Sequence, residues 1–96
     1  MQVLSAKEYE AALRTLNGWH KMAKREAIEK QFIFADFATA FAWMSHIAII
    51  ADKLDHHPEW SNVYNRVDVV LTTHDAKGIT ARDITLAHLM NEHAPR

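Results

Sequence analysis

The sequence contains no cysteine, and it has only two glycines and two prolines among its 96 residues. The absence of cysteine excludes disulfide bonds, thiolate metal ligands and cysteine nucleophiles. The scarcity of glycine and proline, together with 49% hydrophobic residues, argues against a disordered or low-complexity chain. A chain of this length has enough residues for one modest hydrophobic core, so we expect a single domain over residues 1–96.

The chain also lacks an excess of charge of either sign, since its formal net charge is −1. Without surplus lysine and arginine it cannot neutralise a phosphate backbone, so direct nucleic-acid binding is not expected. No hydrophobic run approaches the roughly 18 residues of a membrane span. The first residues show no cationic segment followed by an apolar one, as a signal peptide would. We therefore expect a cytoplasmic protein without a membrane partner.

Hydrophobic spacing and end signals predict the order helix, strand, strand, helix, strand, helix. Ser5 and Glu8 fit a capping box at the start of the first helix, and Thr80 and Asp83 fit another at the start of the last. The segment 61–74 is either one strand or two short ones, with Val63, Val67, Val69 and Leu71 on its core face. Antiparallel strands with helices on one face predict an α+β fold. The predicted helices cover 5–16, 36–55 and a segment after Thr80, and the strands cover 19–23, 27–34 and 62–74.

The helix predicted over 36–55 is apolar around more of its circumference than one core requires. Its main stripe is widened by Trp43 and Ile50, and Ala42 and Ile49 lie beyond it. The surplus predicts a second buried contact, which is either another subunit or a third helix.

Seven histidines are the most unusual feature of the composition. His56 and His57 are adjacent and precede Pro58, which favours an extended backbone at His57. His74 ends the predicted strand, and its imidazole, like the other two, can exchange protons near neutral pH. Catalysis, metal binding and solvated surface histidines all stay open on spacing alone, although neighbouring imidazoles converge poorly on one metal ion. The remaining histidines are interpreted as surface or structural residues: His20, His46, His88 and His93.

These histidines lie in segments that resemble the pterin-4a-carbinolamine dehydratase family, which in animals is also called the dimerisation cofactor of a homeodomain transcription factor. The resemblance covers nearly the whole chain, and its most specific block runs from Lys53 to Tyr64. The matching residues are Asp52 through Trp60, Asn62 through Asn65, Thr73-His74, Gly78, Arg82-Asp83, Gly18-Trp19, Lys30 through Phe32, Phe34, Asp36-Phe37 and Ala40-Phe41.

The resemblance implies a four-stranded antiparallel sheet with helices packed on one face. It implies dehydration of 4a-hydroxytetrahydropterin to quinonoid dihydropterin, which recycles the cofactor of aromatic amino acid hydroxylases. It implies that the substrate is a small pterin, that no metal or further cofactor is needed, and that the chain forms a homodimer or a homotetramer. A non-catalytic binding or assembly protein of the transcriptional-coactivator type is the alternative, which the intact set of histidines disfavours.

The resemblance also assigns site residues. The family's catalytic histidines fall on His56, His57 and His74, and its supporting aspartate falls on Asp83. Asp52 departs from the family, which commonly has glutamate there. The positions implied for substrate binding are Trp19, Asp55, Thr72, Thr73 and Asp75. We expect removal of any of the three imidazoles to cost little stability, because none is predicted to hold the core.

Overall fold

The computed structural model describes residues 2–95, which form a four-stranded sheet and three helices. The strands and helices follow the predicted order, with one additional strand. Their bounds are α1 (Ala6–Leu13), β1 (His20–Lys21), β2 (Ile28–Ile33), α2 (Phe37–Leu54), β3 (Glu59–Val63), β4 (Arg66–Leu71) and α3 (Ala81–His93), with a 3₁₀ turn at His74–Ala76 before α3.

All neighbouring strands in the sheet are antiparallel, and their spatial order is β1-β2-β4-β3. The long pairing of β2 with β4 places Ile28 opposite Leu71 and Phe32 opposite Val67. Strand β4 is therefore central, and its carboxyl end lies beside the start of β3, where Glu59 is opposite Val70. This register brings the segment before β3 close to the segment after β4.

Within residues 2–95, the helices cover one face of the sheet. Alternate residues of β4 are buried, namely Val67, Val69 and Leu71. They belong to one core with Ile47 of α2 and Leu86 of α3. The opposite face of the sheet is exposed or half-exposed and carries mostly polar side chains. The fold is the expected α+β class with helices on one face.

Both predicted capping boxes are present. The Ser5 hydroxyl accepts a hydrogen bond from the Glu8 backbone N–H, and the Glu8 carboxylate accepts one from the Ser5 N–H. Helix α1 ends three residues earlier than predicted, because the chain tightens into turns before Gly18. Gly18 has a φ of +83°, a left-handed conformation that suits glycine.

The prediction of a single strand over 62–74 is wrong, and the alternative of two short strands is confirmed. The first of them begins earlier than expected, at Glu59, and the chain reverses at Tyr64 and Asn65. Tyr64 has a φ of 51°, and the Asn62 side chain stabilises the reversal by donating to the Tyr64 and Arg66 carbonyls. Val63 is exposed and not on the core face.

Helix α3 covers part of the wide apolar surface of α2. The Trp43 indole N–H donates to the Met90 carbonyl of α3 at 3.2 Å. Ile50 is half-buried against the core, whereas Phe37, Phe41 and Ile49 stay exposed. Helix α3 therefore covers one side of α2. Within residues 2–95, the side with Phe37, Phe41 and Ile49 remains exposed. Within residues 2–95, none of the helices combines the length and apolar character needed to cross a bilayer.

Candidate active site

The junction between α2 and β3 orients two adjacent histidines in different directions. Asp55 ends α2 in a left-handed conformation with a φ of 53°. The His56 backbone N–H donates a hydrogen bond to the Ala51 carbonyl. Pro58 then holds the chain extended into β3. As a result the His56 side chain is buried, with 7% exposure, and the His57 side chain is 60% exposed.

The loop after β4 presents the third histidine. Thr73 and Gly78 exchange backbone hydrogen bonds, and the chain between them forms a 3₁₀ turn that Lys77 ends at a φ of 59°. His74 is the first residue of that turn, and its side chain is 71% exposed. The closed loop fixes the backbone of His74 while its imidazole faces solvent.

These two segments line one open cleft with a volume of about 340 Å³. That volume is at the lower end of the range typical of small-molecule sites. The cleft brings together all three predicted histidines from two segments that are separated in the sequence. Its lining residues are Asp55, His56, His57, Pro58, Glu59, Thr72, Thr73, His74, Asp75 and Arg82.

His56 is held by a fully buried carboxylate. Its Nε2 lies 2.6 Å from Oδ1 of Asp83, whose side chain is 0% exposed. The other oxygen of Asp83 accepts from the Thr80 backbone N–H and from the Thr73 hydroxyl, each at 2.9 Å. A carboxylate can only accept hydrogen bonds, so we assign the proton to Nε2 of His56. Asp83 thus positions His56, and Nδ1 is the ring nitrogen left for other contacts.

His74 is held by an exposed carboxylate. Its Nε2 lies 2.8 Å from Oε2 of Glu59, at the start of β3. Arg25 binds the same carboxylate with two hydrogen bonds, of 2.9 and 3.0 Å. The hydrogen bonds from Arg25 and His74 lower the pKa of Glu59 to about 2, so its carboxylate is charged at neutral pH.

His57 has the weakest support of the three. Its Nε2 lies 3.4 Å from Oδ1 of Asp52, and both side chains are exposed. The separation is at the long limit for a hydrogen bond. The shorter side chain of aspartate at position 52, where the family commonly has glutamate, is consistent with this distance.

The residues predicted to bind substrate separate into two groups. Asp55, Thr72, Thr73 and Asp75 all line the cleft. Thr73 is itself buried and bonded to Asp83, and the Thr72 hydroxyl donates to the Glu26 carbonyl. Both aspartates are exposed, so their carboxylates are open to hydrogen-bond donors.

Trp19 does not lie among the lining residues. It is buried in the core, and its indole N–H donates to the Asn91 side-chain oxygen at 3.0 Å. The structure does not bring it together with the histidines, so its substrate contact stays a prediction. Trp60 is half-buried and packs near Trp43, with ring centroids 6.2 Å apart.

Sequence reasoning gave no role to three residues at this site. Glu59 and Arg82 line the cleft, and Arg25 clamps Glu59 from the turn between β1 and β2. Glu59 directly follows Pro58, so its closeness to the histidines was a usable signal. The sequence contains no such signal for Arg25. It lies 34 residues from Glu59, in a charged turn of the kind that is usually exposed to solvent.

The cleft can exchange protons without a covalent intermediate. His56 and His74 each have one ring nitrogen bound to a carboxylate and the other ring nitrogen not so bound. Imidazoles held this way act as general acids or bases near neutral pH. Within residues 2–95, no three histidine or acidic side chains are arranged to hold one metal ion.

Comparisons with known proteins agree on one family. The family model described as pterin 4 alpha carbinolamine dehydratase matches residues 2–93. A protein of Rhodopseudomonas palustris (strain BisB18) named "Putative pterin-4-alpha-carbinolamine dehydratase" is 58% identical over 88 residues, covering 92% of this chain and 87% of the relative. A protein of Brucella ovis with the same name is 54% identical, covering 92% of this chain and 91% of the relative.

A solved structure agrees in both fold and sequence. A crystal structure from Brucella melitensis, described as a transcriptional coactivator/pterin dehydratase, superimposes with a TM-score of 0.96 at 52% identity. The match covers 98% of this chain and 100% of that one. Together with the family match over residues 2–93, this similarity shows that the chain belongs to the pterin 4 alpha carbinolamine dehydratase family.

Proposed function

We propose that the protein dehydrates 4a-hydroxytetrahydropterin to quinonoid dihydropterin, using histidines as general acid and base, and so recycles the pterin cofactor of aromatic amino acid hydroxylases. The observation that carries the proposal is the convergence of His56, His57 and His74 on one cleft, in a chain of this family. None of these imidazoles is needed to fill the hydrophobic core, and two are held by carboxylates.

The reaction needs two proton transfers and no oxidant. The bond between C4a and the hydroxyl oxygen breaks, and a general acid supplies the proton with which the hydroxyl leaves as water. A ring nitrogen donates its lone pair to form the new carbon–nitrogen double bond, and its proton passes to a general base. General acid and general base catalysis each contribute about 10²–10⁴-fold. We assign the two transfers to His56 and His74, one at the 4a oxygen and the other at the ring nitrogen.

His57 and the cleft aspartates bind and orient the substrate in this proposal. The His57 imidazole is more exposed than that of His56 and has only a long contact to Asp52. Asp55 and Asp75 line the cleft, and their carboxylates suit the N–H donors of a pterin ring. The volume of about 340 Å³ is enough for a bicyclic ring with a short side chain.

The decisive experiment measures the dehydration of 4a-hydroxytetrahydropterin with and without the purified full-length chain. We expect acceleration over the spontaneous reaction, and loss of that acceleration in His74→Ala. His20→Ala is the matched control, because His20 lies on β1 outside the cleft. A wild-type protein that leaves the spontaneous rate unchanged would overturn the proposal.

We also propose that catalysis needs neither a metal nor a further cofactor. Adjacent His56 and His57 diverge in burial, at 7% and 60% exposure, so their two imidazoles converge poorly on one metal ion. Chelator-treated protein should keep its full activity. Stoichiometric zinc, with activity lost on chelation and restored by zinc, would contradict this.

The alternative function is that of a non-catalytic binding or assembly protein, and one observation supports it. The Brucella melitensis neighbour is described as a transcriptional coactivator as well as a pterin dehydratase. The exposed side of α2, with Phe37, Phe41 and Ile49, is the surface such a use would engage. The dehydration assay separates the two, since a pure scaffold would not accelerate the reaction.

The same side of α2 supports a further proposal, that the chain forms a homodimer or a homotetramer. Phe37, Phe41 and Ile49 expose large apolar side chains on one helix, and exposed apolar surface of this kind is typical of an interaction site. Light scattering at micromolar concentration should give a multiple of 11.0 kDa. Phe41→Glu should lower the mass if this side is the contact, and a monomeric wild type would contradict the proposal.

A further inference from the structure

We infer that Glu59, clamped by Arg25, is the positioning residue for His74, and that it leaves Nδ1 as the nitrogen through which His74 exchanges protons. The inference rests on the proposed function, and it concerns Glu59 and Arg25, two residues to which the sequence assigned no role. It comes from a chain of three side chains on three segments: the turn before β2, the start of β3 and the loop after β4.

Arg25 holds the Glu59 carboxylate in a fixed geometry. Nη1 of Arg25 donates to Oε1 at 2.9 Å, and Nη2 donates to Oε2 at 3.0 Å. This two-bond arrangement fixes the plane of the carboxylate, as single contacts to lysine do not. Nε2 of His74 reaches the same Oε2 at 2.8 Å. Arg25 therefore holds Glu59 in place. Among the described residues, Glu59 is the only carboxylate bonded to His74.

The Glu59 carboxylate is charged at neutral pH. The hydrogen bonds from Arg25 and from His74 hold the pKa of Glu59 far below its usual range. At neutral pH the group is an acceptor only, so the ring nitrogen facing it must carry a proton whether the imidazole is neutral or charged. The neutral form of His74 is then the Nε2–H tautomer, and Nδ1 holds the free lone pair.

The exposed imidazole of His74 needs a hydrogen-bond partner to fix its tautomer and orientation. His74 is 71% exposed, so packing does not restrict its ring. Without Glu59, both tautomers and several ring orientations would be populated. The other charged or titratable groups lining the cleft are not hydrogen-bonded to His74, and none substitutes for Glu59; they are Asp55, His56, His57, Asp75 and Arg82.

The test compares Glu59→Gln with wild type in two measurements. Imidazole nitrogen chemical shifts should show the Nε2–H tautomer of His74 in the wild type and a mixture in Glu59→Gln. The same variant should lower kcat by about 10-fold, the scale of a hydrogen bond to a charged group after solvent screening. Glu59→Asp, which keeps the charge, should recover part of the loss. Asp68→Asn is the matched control, because Asp68 makes a comparable exposed pair with Arg66 on the open face of the sheet.

Two further variants separate a positioning role from a structural one. Arg25→Met should lower kcat less than Glu59→Gln, since the carboxylate keeps its charge and loses only its clamp, whereas Arg66→Met should change nothing. In a His74→Ala background, Glu59→Gln should have no additional effect on kcat if it acts through His74.

The outcomes distinguish this inference from the proposed function. If wild type is active, His74→Ala is impaired and Glu59→Gln changes neither the tautomer nor kcat, the inference is overturned and the function stands. If Glu59→Gln lowers kcat equally in the His74→Ala background, its role is not through His74, and the inference is again overturned. A wild type without dehydratase activity overturns the function and, with it, the proton-exchange role of Nδ1.

Discussion

Two histidine–carboxylate pairs flank the same cleft, and they differ mainly in their access to water. In the His56–Asp83 pair the imidazole is 7% exposed and the carboxylate 0%. In the His74–Glu59 pair the corresponding values are 71% and 39%. The N–O distances, 2.6 and 2.8 Å, are similar. The two contacts are therefore chemically alike, but their different exposure to water changes how much each one contributes to stability.

The difference shows that a buried pair of this kind stabilises the fold, whereas an exposed pair mainly orients a side chain toward the ligand. Breaking a buried pair leaves a carboxylate without its partner in a medium where water cannot replace it. Breaking an exposed pair lets water take over, so the cost in stability is small. The buried pair therefore links the cleft to the core, whereas the exposed pair tunes an imidazole with little effect on folding.

The largest expected effect comes from removing the buried carboxylate. Asp83→Ala should lower the free energy of unfolding by about 3–5 kcal/mol, because it removes the acceptor of buried donors on His56, Thr73 and Thr80. Glu59→Ala should cost less than about 1 kcal/mol. Urea denaturation of both variants checks the contrast, and Asp83→Asn, which keeps the side-chain volume, should fall between them. Equal losses for the two alanine variants would show that burial does not distinguish the pairs.

Substitutions of His56 and His74 should differ in their effect on stability. His56→Ala leaves Oδ1 of Asp83 buried without a donor and should cost about 1–3 kcal/mol, which revises the sequence-based expectation that all three imidazoles are dispensable for folding. His74→Ala should stay within about 0.5 kcal/mol of wild type. Melting temperatures measure both, with His20→Ala as the control.

In kinetics the same two variants should behave alike. His56→Ala and His74→Ala should each lower kcat by roughly 10²-fold, and the double variant should lose less than the product of the two. His57→Ala should mainly raise KM, since an orienting contact acts on the ground and transition states alike. Steady-state kinetics on the four variants tests this. Near-full kcat/KM in every single variant would remove the histidines from the catalytic centre.

A smaller effect should appear in the dependence of stability on pH. The pKa of Glu59 is about 2 in the folded chain against 4.5 for a free glutamate. A lowered pKa means that the stabilising contribution is present above about pH 4.5 and is lost as the pH falls toward 2. Because Glu59 is exposed, the contribution should be below about 1 kcal/mol. Urea denaturation of wild type and Glu59→Gln should converge over this interval, and a gap that widens in acid would contradict the assignment.

The smallest effect is expected at His57, whose partner is farthest away. Asp52→Glu extends the carboxylate by one methylene and should shorten the 3.4 Å separation. Because both side chains are exposed, the gain should be about 3-fold or less in KM. Asp52→Asn serves as the comparison, since it removes the charge without changing the length. A change in kcat instead of KM would assign His57 to proton transfer.

The sequence predicted the fold class and the residues of the cleft better than the contacts within it. The capping box of Thr80 and Asp83 was identified from its i, i+3 spacing, and the structure confirms it. That spacing cannot reveal that the same carboxylate reaches His56, 27 residues earlier. The partnership between Arg25 and Glu59 is hidden in the same way, because only the strand register brings the two segments together.

The sequence left one strand or two open over 61–74 for a different reason. The alternation of hydrophobic residues continues through the reversal at Tyr64 and Asn65, and neither residue is the glycine that usually marks such a turn. Tyr64 takes a positive φ, and side-chain amides of Asn62 and Asn65 supply the hydrogen bonds that stabilise it. Those bonds depend on Phe34 and Arg66 being in place, so they are a product of the folded sheet.

The dual attachment of Asp83 has a consequence for descent within the family. One oxygen caps α3 and the other holds His56, so a lineage that abandoned the chemistry would still be selected to keep this aspartate. His57 and His74 are exposed and have no such second role, so they would be free to change once the reaction no longer mattered. Among relatives of this chain, the retention of those two histidines, and not of Asp83, should distinguish working enzymes from inherited scaffolds.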